Sequence, residues 1–322
     1  MSSSPSVVII SPASASANTG NWHTARRWAQ CLAPCARVRI EREWNGAADD
    51  LMIALHARRS APSIVSFAAH YPQRPVALVL TGTDLYRDIR ADEQAQRSLM
   101  LARRLILLQP EGLYELSPGQ AAKAMVIYQS ARPLVPGRRS RRYFDLALVG
   151  HQRPEKDPIT AVRALLRLPT GLPVRLFHIG GVLDAELAGK VAALGALDNR
   201  YHWLGALPQA ATRQRIKRCH LLLLPSLMEG GANVLIEAVT SGVPVLGSDI
   251  PGNRGMLGAD YPGWFPLGDA ACLAELIQTA MTDPAYYALL ARRCAERVSF
   301  FSPARECAAV CSLLEMTRKY YE

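Results

Sequence analysis

Short apolar runs alternate with longer stretches of mixed polarity along most of the chain. Runs rich in valine, isoleucine and leucine are typical of strands buried on both faces of a parallel sheet. In the first part of the chain we predict strands at Val7–Ile10, Val38–Ile40, Ser63–Phe67, Val76–Leu80 and Leu105–Leu108. In the second part we predict strands at Leu146–Val149, Val174–Ile179, Tyr201–Leu204, Leu221–Leu224 and Val245–Leu246. The pattern predicts two α/β layers, each built on a parallel sheet.

The two series of strands are separated by a segment rich in proline and arginine. The run Arg138-Arg139-Ser140-Arg141-Arg142 follows two prolines and indicates a solvated linker. We therefore predict a first domain over residues 1–142 and a second domain over residues 143–302. The terminal segment, residues 303–322, has the apolar spacing of a helix.

Length and composition fit two such domains. With 322 residues, of which 49% are hydrophobic, the chain can fill two cores. No run of 18 apolar residues occurs, and the first residues lack the basic and apolar regions of a signal peptide. We therefore expect a cytoplasmic protein without a membrane span. The seven cysteines show no CxxC spacing, so we expect reduced thiols and no bound metal.

The net charge of +10 does not by itself identify the class of partner, so sequence motifs have to be considered with it. An excess of lysine and arginine suits nucleic acid, anionic lipid or phosphorylated small molecules. No helix-turn-helix, zinc-finger or RNA-binding aromatic pattern accompanies the charge, so we expect no nucleic-acid partner.

The most specific motif follows the predicted strand Leu221–Leu224. Glu229 and Glu237 stand eight residues apart across a glycine pair and a predicted helix start. Glycines let the backbone approach a ligand closely, and unpaired amides at a helix start attract phosphate. Glu237 lies in an apolar helix, so its carboxylate needs hydrogen-bond partners, which ribose hydroxyls or a core arginine would supply. The donor-binding residues predicted here are Gly230, Gly231, Ala232, Asn233, Val234 and Glu237.

A second loop, after the predicted strand Leu146–Val149, carries candidate phosphate-binding cations. Arg153 and Lys156 lie three residues apart. A guanidinium beside an ammonium can clamp a diphosphate and stabilise it as a leaving group, although an ordinary solvated loop would carry the same residues. Arg153 and Lys156 are therefore candidates, with Glu229, for a site that binds a phosphorylated ligand.

Two loops of the first domain are candidates for binding a further ligand. After the first strand, small polar residues lead into a predicted helix, where they can bind an anion or simply cap the helix. After the strand Val76–Leu80, the run Thr81-Gly82-Thr83-Asp84 is followed by Arg87. The candidate ligand-binding residues of these two loops are Asn18, Thr19, Gly20, Asn21, Arg26, Thr81, Gly82, Asp84 and Arg87.

Together, the Ser-x-x-Glu-Gly-Gly loop, the glutamate spacing and the Gly-Val-Pro-Val run at 242–245 resemble the donor site of retaining glycosyltransferases with the GT-B fold. The resemblance implies an α/β fold of GT-B architecture, with two Rossmann-like domains facing each other across a cleft and segment 303–322 packing back on the first. It also implies that Gly180, Gly181 and His151 bind the donor and that Arg153, Lys156 and Glu229 are the catalytic residues. The candidate residues of the two first-domain loops would then bind the acceptor. His151 stands where the family has an arginine, which leaves open whether His151 or Arg153 fulfils that role.

The departures from the family pattern resemble one subgroup, the selenosugar synthases of selenoneine biosynthesis. The runs that carry this resemblance are 18–22, 81–88, in which Thr81 replaces a family histidine, and 252–258. It implies that UDP-N-acetylglucosamine or UDP-glucose reacts with selenophosphate to give a 1-selenosugar, with no cofactor or metal. Two alternatives stay open. One is a conventional glycosyltransferase that acts on a hydroxyl of a lipid or envelope glycan, with residues 97–104 as a candidate membrane-facing helix; the other is a non-enzymatic nucleotide-sugar sensor.

Overall fold

The chain divides into two compact units in a computed structural model that describes residues 4–12 and 20–318. Unit 1 is Met1–Ser130 with Phe300–Glu322, and unit 2 is Ala131–Ser299. The division falls before the arginine run, not after it, because Arg139 packs on unit 2. Its guanidinium donates to the Tyr287 hydroxyl at 2.6 Å and to the Gly242 carbonyl at 2.6 Å. The prediction of a wholly solvated linker is therefore wrong at Arg139.

Unit 1 is built on a parallel sheet whose described strands lie in the order β2-β1-β3-β4-β5-β6. The strands are β1 (Ser6–Ile10), β2 (Arg37–Glu41), β3 (Leu51–Leu55), β4 (Val76–Leu80), β5 (Arg104–Leu107) and β6 (Ala124–Val126). The helices between them are α1 (Gly20–Leu32), α2 (Ala61–His70), α3 (Thr83–Tyr86), α4 (Glu93–Leu101) and α5 (Pro118–Ala121). Val7 and Ile9 enter one hydrophobic cluster, whereas Val8 and Ile10 enter another. Because both faces of the sheet are covered, its central strands β1, β3 and β4 appear in the sequence as continuous apolar runs, whereas the edge strand β2 alternates charged and apolar residues.

One predicted strand of unit 1 is wrong. Ser63–Phe67 lies inside α2, and the strand that precedes this helix is β3. Both runs are short and apolar, and periodicity alone does not separate a buried strand from the inner face of a short helix. Pro62, in the first turn of α2, is the sequence signal for a helix start that distinguishes them.

Unit 2 has a parallel sheet with the strand order β12-β11-β10-β7-β8-β9. Its strands are β7 (Phe144–Val149), β8 (Val174–Ile179), β9 (Tyr201–Trp203), β10 (Leu221–Leu224), β11 (Val245–Ser248) and β12 (Trp264–Phe265). Its helices are α6 (Pro158–Arg167), α7 (Ala185–Gly195), α8 (Gln209–Ile216), α9 (Asn233–Val239), α10 (Pro251–Leu257), α11 (Ala270–Thr282) and α12 (Pro284–Arg297). The strand order reverses between β1 and β3 in unit 1 and between β7 and β10 in unit 2. Open α/β sheets bind ligands at the carboxyl ends of strands beside such a reversal.

The last helices, α13 (Pro303–Ser312) and α14 (Glu315–Arg318), belong to unit 1. The buried carboxylate of Glu306 on α13 accepts hydrogen bonds from the Trp28 indole at 2.8 Å and from the Ser130 amide at 3.0 Å. The Arg27 guanidinium lies 3.1 Å away and completes the network. A buried carboxylate with this many partners holds α13 against α1.

A disulfide joins Cys31 on α1 to Cys307 on α13, which corrects the expectation of reduced thiols for this pair. The two residues are 276 positions apart, so no local spacing in the sequence indicates the bond. The other five cysteines are free. Within residues 4–12 and 20–318, no helix is long and apolar enough to cross a membrane.

Candidate active site

The loops after β7 and β10 meet at the reversal point of unit 2. The Leu227 amide donates to the Glu155 carbonyl at 2.9 Å and ties the loops together. Beside this bond, the Lys156 ammonium lies 2.5 Å from Oε1 of Glu229, which also accepts from the Ser226 hydroxyl at 2.6 Å. The fold therefore brings together two of the predicted catalytic residues, a cation and a carboxylate from separate loops.

The loop after β11 supports the backbone of Glu229. A Cβ at position 252 would lie 1.8 Å from the Glu229 carbonyl oxygen, so the close approach of α10 requires glycine there. The Ser248 hydroxyl donates to the Ser226 carbonyl at 2.6 Å, and the side-chain amide of Asn253 donates to the Ser248 carbonyl at 2.9 Å. These contacts fix the loop that carries Glu229.

Glu237 is 7% exposed and lies in the middle of α9. Its Oε1 accepts a hydrogen bond from the side-chain amide of Gln209, the first residue of α8, at 2.7 Å. One turn further along α8, burial lowers the pKa of Arg213, and the nearby Glu237 carboxylate opposes that shift. An arginine is thus near Glu237, as one interpretation of the sequence expected. A hydrogen bond to Glu237 also comes from the neutral Gln209, which nothing in the sequence indicated.

The glycine pair of the donor motif leads directly into α9. Ala232 is the N-cap residue, without a side-chain capping bond, Asn233 is the first helical residue and Val234 is buried. Gly230 and Gly231 occupy the preceding loop between Glu229 and the helix. The structure thus places the predicted donor-binding run at the carboxyl end of β10.

Three further predicted donor residues join the loops after β7 and β8. A Cβ at position 180 would lie 1.8 Å from the Gly150 carbonyl oxygen, so Gly180 is required for packing. The Gly181 amide donates to Nδ1 of His151 at 3.0 Å, and His151 therefore connects the two loops. Arg153 is 39% exposed on the first of them, with its Nε 3.9 Å from a Glu155 carboxylate oxygen.

His178 on β8 supports the same region and was missed from the sequence because it lies in an apolar strand. Its Nε2 lies 3.3 Å from the Gly150 carbonyl and its Nδ1 lies 2.8 Å from the Tyr201 hydroxyl. Burial lowers the pKa of His178 to about 4. The neutral imidazole therefore donates to the Gly150 carbonyl and accepts from Tyr201.

In unit 1, the loop after β4 is organised around Asp84, which is fully buried. Its Oδ1 accepts from the amides of Thr81 at 2.8 Å and Gly82 at 2.9 Å, and its Oδ2 accepts from the Ala57 amide at 2.9 Å. The Thr81 hydroxyl also donates to Oδ1, at 3.2 Å. Gly82 has a φ of 136°, a conformation that favours glycine. Asp84 thus fixes the loop, and direct contact of its carboxylate with an acceptor stays a prediction.

The neighbouring loop after β3 adds His56, which the sequence did not indicate. His56 is 2% exposed, and its Nε2 lies 3.1 Å from the Thr83 hydroxyl. Burial lowers the pKa of His56 and keeps its ring neutral. His56 therefore links the loops after β3 and β4 without carrying charge.

The remaining acceptor predictions fall at the start of α1 and after α3. Asn18 and Thr19 lie outside the described residues. Gly20 and Asn21 begin α1, and Arg26 is exposed on this helix. Arg87 follows α3, with its Nε 3.1 Å from Oδ1 of Asp88.

Comparison with solved structures gives the fold. The chain resembles Anabaena HepE in complex with UDP-glucose, with a TM-score of 0.79, 16% identity, and coverage of 97% of this chain and 99% of that one. It also resembles sucrose-phosphate synthase from Thermosynechococcus elongatus, with a TM-score of 0.80, 18% identity, and coverage of 98% and 100%. The predicted α/β class, with two parallel-sheet Rossmann-like units of the GT-B type, is confirmed.

Curated sequence relatives are glycosyltransferases by name. The 2-deoxystreptamine N-acetyl-D-glucosaminyltransferase of Streptomyces fradiae is 25% identical over 227 residues, which is 68% of this chain and 51% of that protein. The D-inositol 3-phosphate glycosyltransferase of Nocardia farcinica is 33% identical over 115 residues, which is 33% of this chain and 26% of that protein. The matched regions thus span about half of the first relative and about a quarter of the second.

A family model covers the part of the chain that carries the Lys156–Glu229 contact and Glu237. The model for glycosyl transferases group 1 matches residues 138–298, which is half of the chain. With the donor motif, its geometry and the fold in agreement, the chain belongs to the glycosyl transferases group 1 family.

Proposed function

We propose that the chain is a retaining glycosyltransferase that joins the sugar of UDP-N-acetylglucosamine or UDP-glucose to the selenium of selenophosphate. The part of the proposal that concerns the UDP-sugar donor is supported by the contact of Lys156 with Glu229 at the reversal point of unit 2. A bound diphosphate competes with Glu229 for the Lys156 ammonium, and Arg153 adds a second cation. Glu229 is then available to sugar hydroxyls, while Glu237 accepts from ribose hydroxyls.

The proposed reaction breaks the bond between C1 of the sugar and the oxygen of the β-phosphate, which keeps the electron pair. Lys156 and Arg153 stabilise the charge that develops on this oxygen. Selenium of selenophosphate supplies the electron pair of the new bond to C1. Water then cleaves the selenium–phosphorus bond, so the products are UDP, a 1-selenosugar and phosphate.

The part of the proposal that concerns the selenophosphate acceptor has two supports. One is the resemblance of the runs 18–22, 81–88 and 252–258 to the selenosugar synthases, and the other is the set of side chains beside the loop after β4. Three proton-accepting side chains, those of His56, Asp84 and Asp88, lie beside this loop and are 2%, 0% and 7% exposed. His56 and Asp84 are hydrogen-bonded to the protein, and Asp88 is held between the guanidinium groups of Arg58 and Arg87. A hydroxyl acceptor has to lose a proton to a base, whereas anionic selenium is already a strong nucleophile. The replacement of a family histidine by Thr81 fits such an acceptor.

The test is release of UDP by the purified protein from each UDP-sugar, with and without selenophosphate, with mass analysis of the sugar product for the selenium isotope pattern. We expect release that depends on selenophosphate and a product with the mass of a 1-selenosugar. Lys156→Ala should abolish release, and Glu237→Ala should weaken UDP-sugar binding. Normal UDP-sugar affinity in Glu237→Ala would remove the donor-site assignment.

Transfer to a hydroxyl is the second candidate, and two observations favour it. A relative is named as an N-acetyl-D-glucosaminyltransferase of 2-deoxystreptamine. In addition, Met100 and Leu101 at the end of α4 are 72% and 38% exposed, and Arg97 on the same helix is exposed as well. Exposed apolar side chains beside a cation are what a helix that binds a lipid surface requires. UDP release that depends on 2-deoxystreptamine or on lipid vesicles, and not on selenophosphate, would select this candidate. Binding of UDP without turnover under all conditions would indicate a sensor.

A further inference from the structure

A buried carboxylate in unit 1 holds two arginine side chains from different loops. Asp88 is 7% exposed and lies directly after Arg87. The Arg87 Nε lies 3.1 Å from its Oδ1, and the Arg58 Nε lies 3.0 Å from its Oδ2. The charged side chains of Arg58 and Arg87 are 42% and 49% exposed, so both reach solvent while their inner ends touch one aspartate.

The two arginines reach this place because their loops follow neighbouring strands. Arg58 comes shortly after β3 and Arg87 comes shortly after β4, and these strands pair in parallel. The carboxyl ends of parallel strands lie at one edge of the sheet, and β3 borders the point where the strand order reverses. The pair is therefore at the edge where this fold binds ligands.

The contact between Arg58 and Asp88 is close but poorly aligned. Arg58 Nε and Asp88 Oδ2 are both buried, and neither makes a hydrogen bond of good geometry. Buried polar atoms without such bonds are uncommon and are found where a group is kept for a ligand. Electrostatic attraction thus holds Arg58 near Asp88, and the Nε–H group of Arg58 makes no hydrogen bond to it.

Charges of both signs meet at this edge. Arg58, Arg59 and Arg87 lie near Asp84 and Asp88, and Asp92 and Glu93 line the same cavity as Arg58 and Arg59. His56, between them, is kept neutral because burial lowers its pKa. The backbone amides that bind Asp84 reduce its effect further.

We propose that Arg58 and Arg87, positioned by Asp88, form a two-guanidinium clamp for a phosphoryl group on the acceptor. A guanidinium presents N–H groups in a planar fork that matches the oxygens of phosphate, and two forks distinguish a phosphoryl dianion from a neutral hydroxyl. The inference rests on the proposed function in that it assigns the acceptor to unit 1, and it defines that acceptor as phosphorylated.

The probe is thiophosphate, and its binding to the full chain is measured by phosphorus NMR or calorimetry at low salt and without UDP-sugar. Arg58→Gln and Arg87→Gln should each weaken binding by about tenfold, because each removes charge-assisted hydrogen bonds. Arg104→Gln is the matched control, since Arg104 is exposed at the opposite, amino end of β5. It should bind as the wild type does, and UDP binding should be the same in all three variants.

Asp88→Asn separates a clamp from simple attraction. Removal of a negative charge strengthens the binding of an anion if only charge matters, whereas loss of the residue that orients both forks weakens it. We expect weaker binding, by about tenfold. Stronger binding would overturn the positioning role of Asp88.

Arg58→Lys and Arg87→Lys provide the test if Asp88→Asn does not fold. Each keeps the charge and loses the fork, so we expect binding to fall about as far as in the glutamine variants. Wild-type affinity in both lysine variants would overturn the clamp. If the chain releases UDP in the presence of selenophosphate but does not bind thiophosphate, the clamp alone is refuted. If the chain binds thiophosphate but selenophosphate causes no UDP release, the proposed function alone is refuted.

Discussion

Both units place carboxylates at the ends of their strands, but the partners of those carboxylates differ. Asp84 in unit 1 is bound by backbone amides on both oxygens. Glu229 and Glu237 in unit 2 accept from side chains, including Lys156 and Gln209. A backbone donor cannot leave without rearranging its loop, whereas a side chain can turn toward a ligand. The partners, more than the burial, therefore separate a structural carboxylate from one that can exchange a protein contact for a substrate.

The largest effect should come from the covalent bond that fixes unit 1. Replacing Cys31 and Cys307 by serine should lower the free energy of unfolding by about 5 kcal/mol, because the bond closes a long loop in the unfolded chain. Urea unfolding measures the loss, and Cys35→Ser is the control. Thiol titration of the unfolded wild type without reductant should find five thiols. A count of seven would contradict the bond.

Asp84→Ala should cost about 4 kcal/mol of stability, because three backbone amides lose a charged acceptor. Asp92→Ala is the matched control, since Asp92 caps α4 by accepting from one amide, and should cost about 1 kcal/mol. Urea unfolding compares the two variants, and UDP affinity should not change in either. Equal losses would mean that Asp84 is no more than a helix cap.

His178 should make unit 2 sensitive to acid. Its pKa is lowered to about 4 from an ordinary value of 6.5, so the folded protein stays unprotonated in a range where the unfolded chain binds a proton. The stability is fully present above pH 6.5 and falls by about 3 kcal/mol as the pH drops toward 4. Urea unfolding across this range should show a flatter dependence for His178→Gln. An unchanged slope would show that His178 does not cause the loss.

Glu229→Gln should have the smallest effect on stability, about 1 kcal/mol, because its partner Lys156 is partly exposed. UDP release from the UDP-sugar should nevertheless fall by about 100-fold or more. The control is Glu186→Gln, which removes a surface pair with Lys190 and should alter neither quantity. Large destabilisation by Glu229→Gln with normal UDP release would reverse the comparison between the units.

The sequence predicted five of the six described strands of unit 2, because most of them are apolar runs that end at a recognisable turn or loop, and it missed β12, which has only two residues. It also selected Lys156 and Glu229, which the fold brings into contact. It did not indicate Gln209, His56 or Arg58, because their contacts join separate loops and leave no spacing along the chain. The strand assigned to Ser63–Phe67 was wrong because an apolar run of five residues fits one side of a helix equally well.

The position of α13 in unit 1 determines the order in which the chain can complete its parts during synthesis. Residues 131–299 have all been translated before α13 appears, whereas α1 has to wait for the carboxylate of Glu306. Unit 1 can therefore complete its packing around Trp28 only after every residue of unit 2 has been translated, so its last contacts form late although its first strands are made first.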